Sequence, residues 1–146
     1  MNLKRYKIGY TTGVYDMFHV GHLNIIKRSK ELCEHLIVGV TTDELVSYKN
    51  TSAIVPFHER MAIVESIKYV DQVVSQDTMD KMEAWKKYSF DAMFVGSDWQ
   101  GSDKWNKLEA EFQKVGVTVE YFPYTQGTSS TKLKAALQRI LDGGSA

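Results

Sequence analysis

The stretch Ile8-Gly-Tyr-Thr-Thr12 is followed directly by Gly13-Val-Tyr-Asp-Met-Phe-His19-Val-Gly-His22, and this junction decides the fold. The apolar and β-branched run that ends at Thr12 is typical of a strand, and the glycine-containing stretch after it predicts a turn. Apolar residues at helical spacing, beginning with Leu23 and Ile26, then predict a helix near residues 20 to 34. A strand, a loop and a helix in this order open a parallel α/β sheet.

The same alternation continues along the chain. Further strands are predicted at residues 36 to 40, 70 to 74, 92 to 95 and 117 to 122, with helices between them and a last helix over residues 130 to 141. Five strands separated by helices predict a single Rossmann-like, doubly wound α/β domain. Its five-stranded sheet is expected to be mostly parallel, with helices on both faces. We expect this domain to span residues 1–142 and residues 143–146 to form a flexible tail.

Composition narrows the class of protein. The 146 residues are 43% hydrophobic and 25% charged, with 18 Lys and Arg against 18 Asp and Glu. This balance argues against a dedicated nucleic-acid binder, which needs an excess of positive charge. The sequence contains no apolar run of the roughly 20 residues that a membrane helix needs and no signal-peptide pattern, so we expect a cytoplasmic protein without membrane insertion. Cys33, the sole cysteine, excludes an internal disulfide and is expected to be a buried helix residue.

Polar residues collect after three of the predicted strands. They follow the first strand at 13 to 22, the fourth strand at Gly96-Ser-Asp98-Trp99, and the fifth strand at Tyr124-Thr-Gln-Gly-Thr-Ser-Ser-Thr131. The carboxyl ends of parallel strands share one edge of the sheet, and ligands bind there. The sequence therefore predicts a ligand site at this edge.

His19 and His22 are three positions apart, so they share one face at a helix start. The first helical turn presents free N–H groups that bind anions, and Gly21 lets a phosphate approach the backbone. Two imidazoles beside these donors suit the charge that develops during phosphoryl or nucleotidyl transfer. Two alternatives stay open: a purely structural histidine pair, or a two-histidine metal site with Asp16 as its nearest further ligand.

Residues 128 to 131 provide four adjacent hydroxyls at the start of the last predicted helix. A single hydroxyl is enough for an N-cap. With Thr125 and Gly127 just before them, we interpret this segment as phosphate-binding. Asp98 is suited to a base amino group, a ribose hydroxyl or water-bound Mg²⁺, and the alternative is a helix cap.

A polyanionic ligand needs cations, and three stand out. Lys49 lies in the most loop-like stretch, Arg60 near a helix start and Lys68 at the end of that helix. Each is alternatively a solvated surface charge, and Lys68 could equally interact with its own helix dipole.

Together these residues resemble the cytidylyltransferase family of nucleotidyltransferases, and within it the small glycerol-3-phosphate cytidylyltransferases. The resemblance runs from about Tyr6 to Leu137. The family motifs are matched at Gly13-Val-Tyr-Asp16, His19-Val-Gly-His22, Glu59-Arg60, Lys68-Tyr-Val-Asp71, Asp98-Trp99 and Tyr124-Thr-Gln-Gly-Thr-Ser-Ser-Thr131.

The resemblance implies an enzyme that transfers CMP from CTP to a phosphorylated alcohol, with glycerol 3-phosphate as the first candidate, giving CDP-glycerol and pyrophosphate. It implies Mg²⁺ held by the CTP phosphates rather than directly by protein ligands, and a homodimer. The catalytic residues it implies are His19, His22 and Lys49. The nucleotide contacts it implies are Gly13, Val14, Tyr15, His19, His22, Asp98, Thr125, Gly127, Ser129, Ser130 and Thr131. The acceptor contacts it implies are Asp16, Lys49, Arg60 and Lys68.

Three positions depart from the family pattern. Tyr124 stands where the signature has Arg, Val14 replaces the usual Thr, and Thr51 lies where the closest relatives carry a second loop Lys. Because of these departures, the sequence defines the type of reaction more closely than the identity of the acceptor. The alternatives are another phosphorylated or phosphonate acceptor, an adenylyltransferase that uses ATP, and a nucleotide-binding module that has lost catalysis.

Overall fold

The structure is a computed structural model that describes residues 4–48, 52–123 and 129–143, except for the side chains of Tyr48 and Asp98. The strands are β1 (Tyr6–Gly13), β2 (Cys33–Thr41), β3 (Gln72–Gln76), β4 (Ala92–Gly96) and β5 (Thr118–Phe122). The helices are α1 (Val20–Leu32), α2 (Asp43–Tyr48), α3 (Phe57–Glu65), α4 (Lys81–Tyr88), α5 (Asp103–Lys114) and α6 (Ser130–Leu141). Within the described ranges, no helix is long and apolar enough to cross a membrane.

The strands form one sheet in the order β3-β2-β1-β4-β5, and every neighbouring pair is parallel. The central strand β1 pairs with β2 from Tyr6 and Cys33 to Gly13 and Val40. After β3 the chain crosses back so that β4 lies on the other side of β1. The strand order therefore reverses between β1 and β4, which is where sheets of this kind bind ligands.

Helices cover both faces of the sheet. On one face, Ile26 of α1 and Val64 of α3 belong to the same buried cluster as Val38 of β2. On the other face, Phe112 of α5 packs in a cluster with Ile37. Neighbouring residues of a strand point to opposite faces, so a strand covered on both sides is apolar along its whole length. The predicted doubly wound α/β fold is confirmed.

Several element bounds differ from the predicted ones. The helix α1 ends at Leu32, and Cys33 has an extended backbone and opens β2. Cys33 is therefore a buried strand residue, and its predicted place in the helix is wrong. The prediction failed because the apolar spacing at the end of the helix continues without a break into the strand. Burial raises the pKa of its thiol to about 11. The strand β3 begins at Gln72 rather than Val70, since the Val70 N–H donates to the Ile67 carbonyl oxygen in the turn before the strand.

Candidate active site

A cleft of about 500 Å³ lies at the carboxyl ends of the strands. The ends of β1 (Thr11–Gly13) and of β4 (Val95 and Gly96) line it. The cleft therefore lies where the strand order reverses, at the edge that the sequence predicted. His22 of α1 and Ser130 of α6 also line it.

The two histidines are fixed at the start of α1 by hydrogen bonds to the backbone and by stacking of their rings. His19 is the N-cap residue, and its Nδ1 accepts a hydrogen bond from the Gly21 N–H at 3.1 Å. The Nδ1 of His22 accepts one from the His19 N–H at 3.2 Å, and the two rings stack with their centroids 3.9 Å apart. Because each Nδ1 accepts a hydrogen bond, each neutral ring carries its proton on Nε2. The His22 ring thus keeps its Nε2–H donor at the cleft, while the Nε2 atom of His19 lies 3.4 Å from the Ser130 hydroxyl.

Both imidazoles are neutral at physiological pH. Burial, and to a smaller extent the neighbouring His19, lower the pKa of His22 to about 4 against a still smaller opposite effect of Asp16. Burial also lowers the pKa of His19. The Nε2–H donors are therefore present without a positive charge on either ring.

The loop before α1 fixes the position of His22. Tyr15 is buried in a left-handed backbone conformation with φ of 55°, and its ring meets the His22 ring edge to face, with 5.3 Å between centroids. A Cβ atom on Gly13 would lie 3.0 Å from the Tyr15 ring. Because Gly13 has no side chain, the Tyr15 ring can pack against its backbone. This ring in turn supports His22. Together with Val14, these two predicted nucleotide-binding residues line the cleft.

The start of α6 completes the same side of the cleft. The Ser129 hydroxyl caps the helix by accepting from the Lys132 N–H at 3.1 Å. The Ser130 hydroxyl donates to the carbonyl oxygen of Asp16 at 2.7 Å and lies 3.4 Å from the Nε2 atom of His19. The Ser129 hydroxyl is therefore committed to capping. Ser130 and Thr131, in contrast, line the cleft and face the ligand site.

Asp16 is buried inside the protein, with 1% of its surface exposed. Its carboxylate accepts hydrogen bonds from the Ile54 and Val55 N–H groups at 2.8 and 2.9 Å and pairs with Lys134 at 3.2 Å. Burial alone would raise the pKa of Asp16, but these partners together lower it below its ordinary value. Both carboxylate oxygens already bind the protein itself, and Asp16 lines the cleft, so its predicted contact with the acceptor stays a prediction.

Arg60 is also engaged inside the protein. Its side chain is 0% exposed. The guanidinium donates to the carbonyl oxygens of Val14, Thr41 and Val55 and pairs with Asp43. This cation connects the loop after β1 to the segments after β2 and before α3, and its predicted contact with the acceptor's phosphate stays a prediction.

Lys68 lies at the opposite edge of the sheet. It is exposed, follows α3 and precedes β3, and its ammonium sits over the Tyr69 ring at 5.2 Å from the centroid. The five residues of β3 alone span about 16 Å. Lys68 is therefore distant from the cleft of its own chain, and its predicted contact with the acceptor stays a prediction.

Some predicted site residues cannot be placed. Lys49, Thr125 and Gly127 lie outside the described residues, as do Thr51 and Tyr124 at the positions that depart from the family pattern. The side chain of Asp98 is not described either. The contacts predicted for these residues stay predictions.

Sequence analysis missed three lysines that line the cleft: Lys81, Lys104 and Lys134. Lys134 was detectable, because it is four residues after Ser130 on a helix and shares its face. Lys81 was detectable as well, since a lysine at the first position of a helix opposes the positive end of the helix dipole. Trp99 and Trp105 also line the cleft, and the Trp99 side chain is 54% exposed.

The described side chains suit an anion better than a metal ion. Hydroxyl, imidazole and ammonium groups line the phosphate-sized end of the cleft near α1 and α6. Within the described ranges, no three His, Cys, Asp or Glu side chains are grouped to hold a metal ion. The alternative of a two-histidine metal site with Asp16 therefore has no support in this arrangement.

Comparisons with known proteins agree with the fold and the site. The model of the cytidylyltransferase-like family matches residues 10–136. Glycerol-3-phosphate cytidylyltransferase from Staphylococcus aureus is 34% identical over 87% of this chain and 92% of its own length. FAD synthase from Thermococcus kodakarensis is 34% identical over 97% of both chains. A lipopolysaccharide core biosynthesis protein from Thermoplasma volcanium has a similar structure, with a TM-score of 0.70 at 27% identity over 84% of this chain and 99% of that one.

The fold, the histidine pair and the comparisons together define an enzyme that transfers nucleotidyl groups. The chain belongs to the cytidylyltransferase-like family, as the sequence motifs predicted.

Arg60→Met tests the role of this buried cation as a connector. The substitution leaves buried carbonyl groups without their donor and Asp43 without its partner, so we expect the free energy of unfolding to fall by about 3 kcal/mol or more. Urea denaturation followed by circular dichroism measures this. Arg60→Lys should recover only part of the loss, because a lysine cannot donate in three directions from one plane. Lys27→Met on the exposed side of α1 is the control; equal effects of the substitutions at 60 and 27 would contradict the connector role.

His22 should make the protein less stable as the solution becomes acidic. Its pKa is near 6.5 when unfolded and about 4 when folded, so the unfolded chain binds the proton first. The stabilisation is complete above pH 6.5 and is lost as the pH falls towards 4, by on the order of 3 kcal/mol. Urea denaturation at several pH values should show a smaller acid loss in His22→Asn than in the wild type. An imidazole that titrates near 6.5 by NMR would contradict its burial.

Proposed function

We propose that the protein transfers CMP from CTP to a phosphorylated alcohol, with glycerol 3-phosphate as the first candidate, and releases pyrophosphate. The observation that carries this proposal is the pair His19 and His22, whose Nδ1 atoms accept from the backbone. His22 lines the cleft with its Nε2–H as a neutral donor, and the Nε2 atom of His19 lies 3.4 Å from the hydroxyl of Ser130, which also lines the cleft. Such fixed donors can stabilise charge on a phosphate without reorganising during the reaction. The similarity to glycerol-3-phosphate cytidylyltransferase over most of both chains supports the same reaction.

The chemistry asks for alignment rather than for a general base. An oxygen of the acceptor's phosphate monoester is already ionised and attacks the α-phosphorus of CTP in line with the leaving group. The new bond joins this oxygen to the α-phosphorus while the bond from the α-phosphorus to the bridging oxygen breaks, and pyrophosphate leaves with that electron pair. His19 and His22 donate to the α-phosphate oxygens as negative charge builds up on them.

The start of α6 would hold the β- and γ-phosphates. Ser130 and Thr131 line this end of the cleft, and the first turn of a helix attracts anions. Lys134 also lines the cleft and brings a positive charge to this end. Its ammonium is partly exposed while it pairs with Asp16. Tyr124 stands where the family signature has Arg, and Lys134 would supply a positive charge in place of that Arg.

The nucleobase would lie at the end of β4. The half-exposed indole of Trp99 offers a flat apolar surface there, which suits stacking against a base. Asp98, next to it in the sequence, remains the predicted partner of the base or the ribose.

Mg²⁺ would enter with CTP, held by the phosphate oxygens. The residues present fit this arrangement, because the Asp16 carboxylate is occupied by protein donors and the described groups near α6 are hydroxyls and a lysine. When bound, the ion offsets charge on the leaving pyrophosphate. The predicted homodimer remains a prediction, which light scattering of the purified protein would test.

Adenylyl transfer is a second candidate. FAD synthase from Thermococcus kodakarensis is as similar as the glycerol-3-phosphate enzyme and matches 97% of this chain. The exposed Trp99 would stack on adenine as well as on cytosine. Under this alternative, ATP replaces CTP and the acceptor phosphate belongs to FMN.

An assay of pyrophosphate release separates these candidates. We expect turnover with CTP and glycerol 3-phosphate when CTP, ATP, GTP and UTP are each combined with glycerol 3-phosphate, phosphoethanolamine and FMN. Turnover only with ATP and FMN would establish the second candidate instead. Tight CTP binding by calorimetry without turnover on any acceptor would identify a binding module.

His22→Asn tests the central donor while keeping the local structure. The asparagine Oδ1 atom can still accept from the His19 N–H, but the donor at Nε2 is lost, so we expect kcat to fall about 10² to 10³-fold. His22→Gln is the matched variant, since its amide nitrogen can reach the Nε2 position, and it should retain more activity. Melting temperatures check that both variants fold. Near-normal turnover of His22→Asn at saturating CTP would refute the assignment.

A further inference from the structure

A second cavity, of about 330 Å³, lies between the carboxyl end of β3 and helix α4. Residues 75–78 form its wall on the strand side, and Glu83 and Lys87 line it on the helix side. Gln76 lines both this cavity and the cleft, so the two are neighbours. A volume of this size is at the lower end of the range of about 300 to 1,000 Å³ that is usual for small-molecule sites. The proposed nucleotidyl transfer does not use the second cavity.

Tyr10 of the central strand β1 reaches the second cavity across the neighbouring strand. Its hydroxyl lies over β2 at Gly39, where an added Cβ atom would be 2.9 Å from the phenol oxygen. Gly39 pairs with Val74 of the edge strand β3 on its other side. A glycine inside a buried strand weakens that strand, and it often marks a close approach by another group. Here it makes room for the hydroxyl of Tyr10.

The Tyr10 side chain is 2% exposed, and its hydroxyl has no hydrogen-bond partner among the residues that the structure describes. Within the same residues, every fully enclosed side-chain oxygen or nitrogen atom has a partner. The phenol oxygen is therefore not fully enclosed, and the space that it meets is the second cavity. An unpaired polar group that is nearly buried costs free energy unless a further molecule satisfies it.

The phenol of Tyr10 is a neutral donor. Burial raises its pKa, and the neighbouring Tyr88 and Asp77 raise it further. The ring is held by stacking on Phe90, with 4.7 Å between the centroids. The hydroxyl is thus a fixed group that can both donate a hydrogen bond and accept one.

The charges around the second cavity restrict its ligand. The carboxylates of Asp77 and Glu83 line it, so an anion such as a phosphate meets repulsion there. An organic cation needs a free aromatic face, but the ammonium of Lys87 already lies 5.7 Å from the centroid of the Tyr88 ring. Carboxylates accept hydrogen bonds, an ammonium donates them, and the phenol does both. A ligand with several hydroxyl groups satisfies all of them without carrying a charge.

We propose that the second cavity binds a neutral polyhydroxyl compound, such as a polyol or a sugar, through the Tyr10 hydroxyl and the Asp77 carboxylate. The hydroxyl groups of this ligand donate to the carboxylates and accept from Lys87. The site is separate from the cleft in which the nucleotide is proposed to bind, and Gln76 stands between the two.

Titration of the ¹⁵N-labelled protein with glycerol, sorbitol and glucose, followed by NMR, tests this site. We expect at least one probe to shift the backbone amides of residues 75–78 and 83–88 in a saturable way. A few hydroxyl contacts supply a Kd of about 10 mM or tighter. The amides of residues 19–22 should shift little, and a response centred on them would place the probe in the cleft and overturn the proposal.

Tyr10→Phe removes the hydroxyl and keeps the ring that stacks on Phe90. The Kd of the best probe should rise about three- to tenfold, the effect of one lost hydrogen bond. Asp77→Asn should also raise it, because the amide offers one acceptor oxygen in place of two. Tyr69→Phe is the matched control, since it removes a phenol hydroxyl that packs against the cluster on the opposite face of the sheet. It should leave the Kd unchanged, and melting temperatures check that all three variants fold.

Inorganic phosphate and tetramethylammonium are probes for the charge of the ligand. Neither should shift the amides around the second cavity. Shifts with either ion and none with the polyols and glucose, shifts that rise linearly without saturation, or an equal Kd in Tyr10→Phe and the wild type would overturn the proposal. The titration does not require turnover, so a failure of nucleotidyl transfer with every nucleotide and acceptor would overturn the proposed function and leave this site unaffected.

Discussion

The buried carboxylate of Asp16 holds together the parts of the chain that form the cleft. It accepts hydrogen bonds from Ile54 and Val55 before α3 and pairs with Lys134 of α6, while its own carbonyl oxygen accepts from Ser130. A carboxylate this deeply buried is tolerated only with such partners, because a lone charge in the interior costs several kcal/mol. The loop that leads to the histidines, the segment before α3 and the last helix therefore keep one relative position as long as this group is ionised.

The histidine pair combines two roles that are often treated as alternatives. The Nδ1 atoms of His19 and His22 cap α1 and each other, so the pair is structural. The same hydrogen bonds fix the tautomer of each ring, so that the proton is on Nε2. Burial keeps His22 neutral. The structural cap thus prepares the donor that we propose acts on the phosphate. Removing one role without the other needs a substitution that replaces one ring nitrogen at a time.

The sequence predicted the fold well because strand and helix periodicities differ and alternate cleanly along this chain. It misplaced Cys33, where the apolar spacing of α1 continues into β2. For the site, the motif around His22 predicted the helix start at the edge where the cleft lies, since local spacing defines a helix start. The contacts predicted for the cations stay predictions. A sequence shows that Arg60 and Lys68 are charged, but it shows neither that one is fully buried nor that the other lies at the far edge of the sheet. Lys81 reaches the cleft only because α4 packs beside the end of β1.

The hydrogen bond between Ser130 and the Asp16 carbonyl joins residues that are 114 positions apart in the chain. Contacts of such wide separation close late, since a long loop must be ordered before they form. During synthesis, His19 emerges 111 positions before Ser130 of α6, which completes the same side of the cleft. A nascent chain can therefore form the whole sheet while α6 is still missing, and the anion pocket is complete only once α6 has been made.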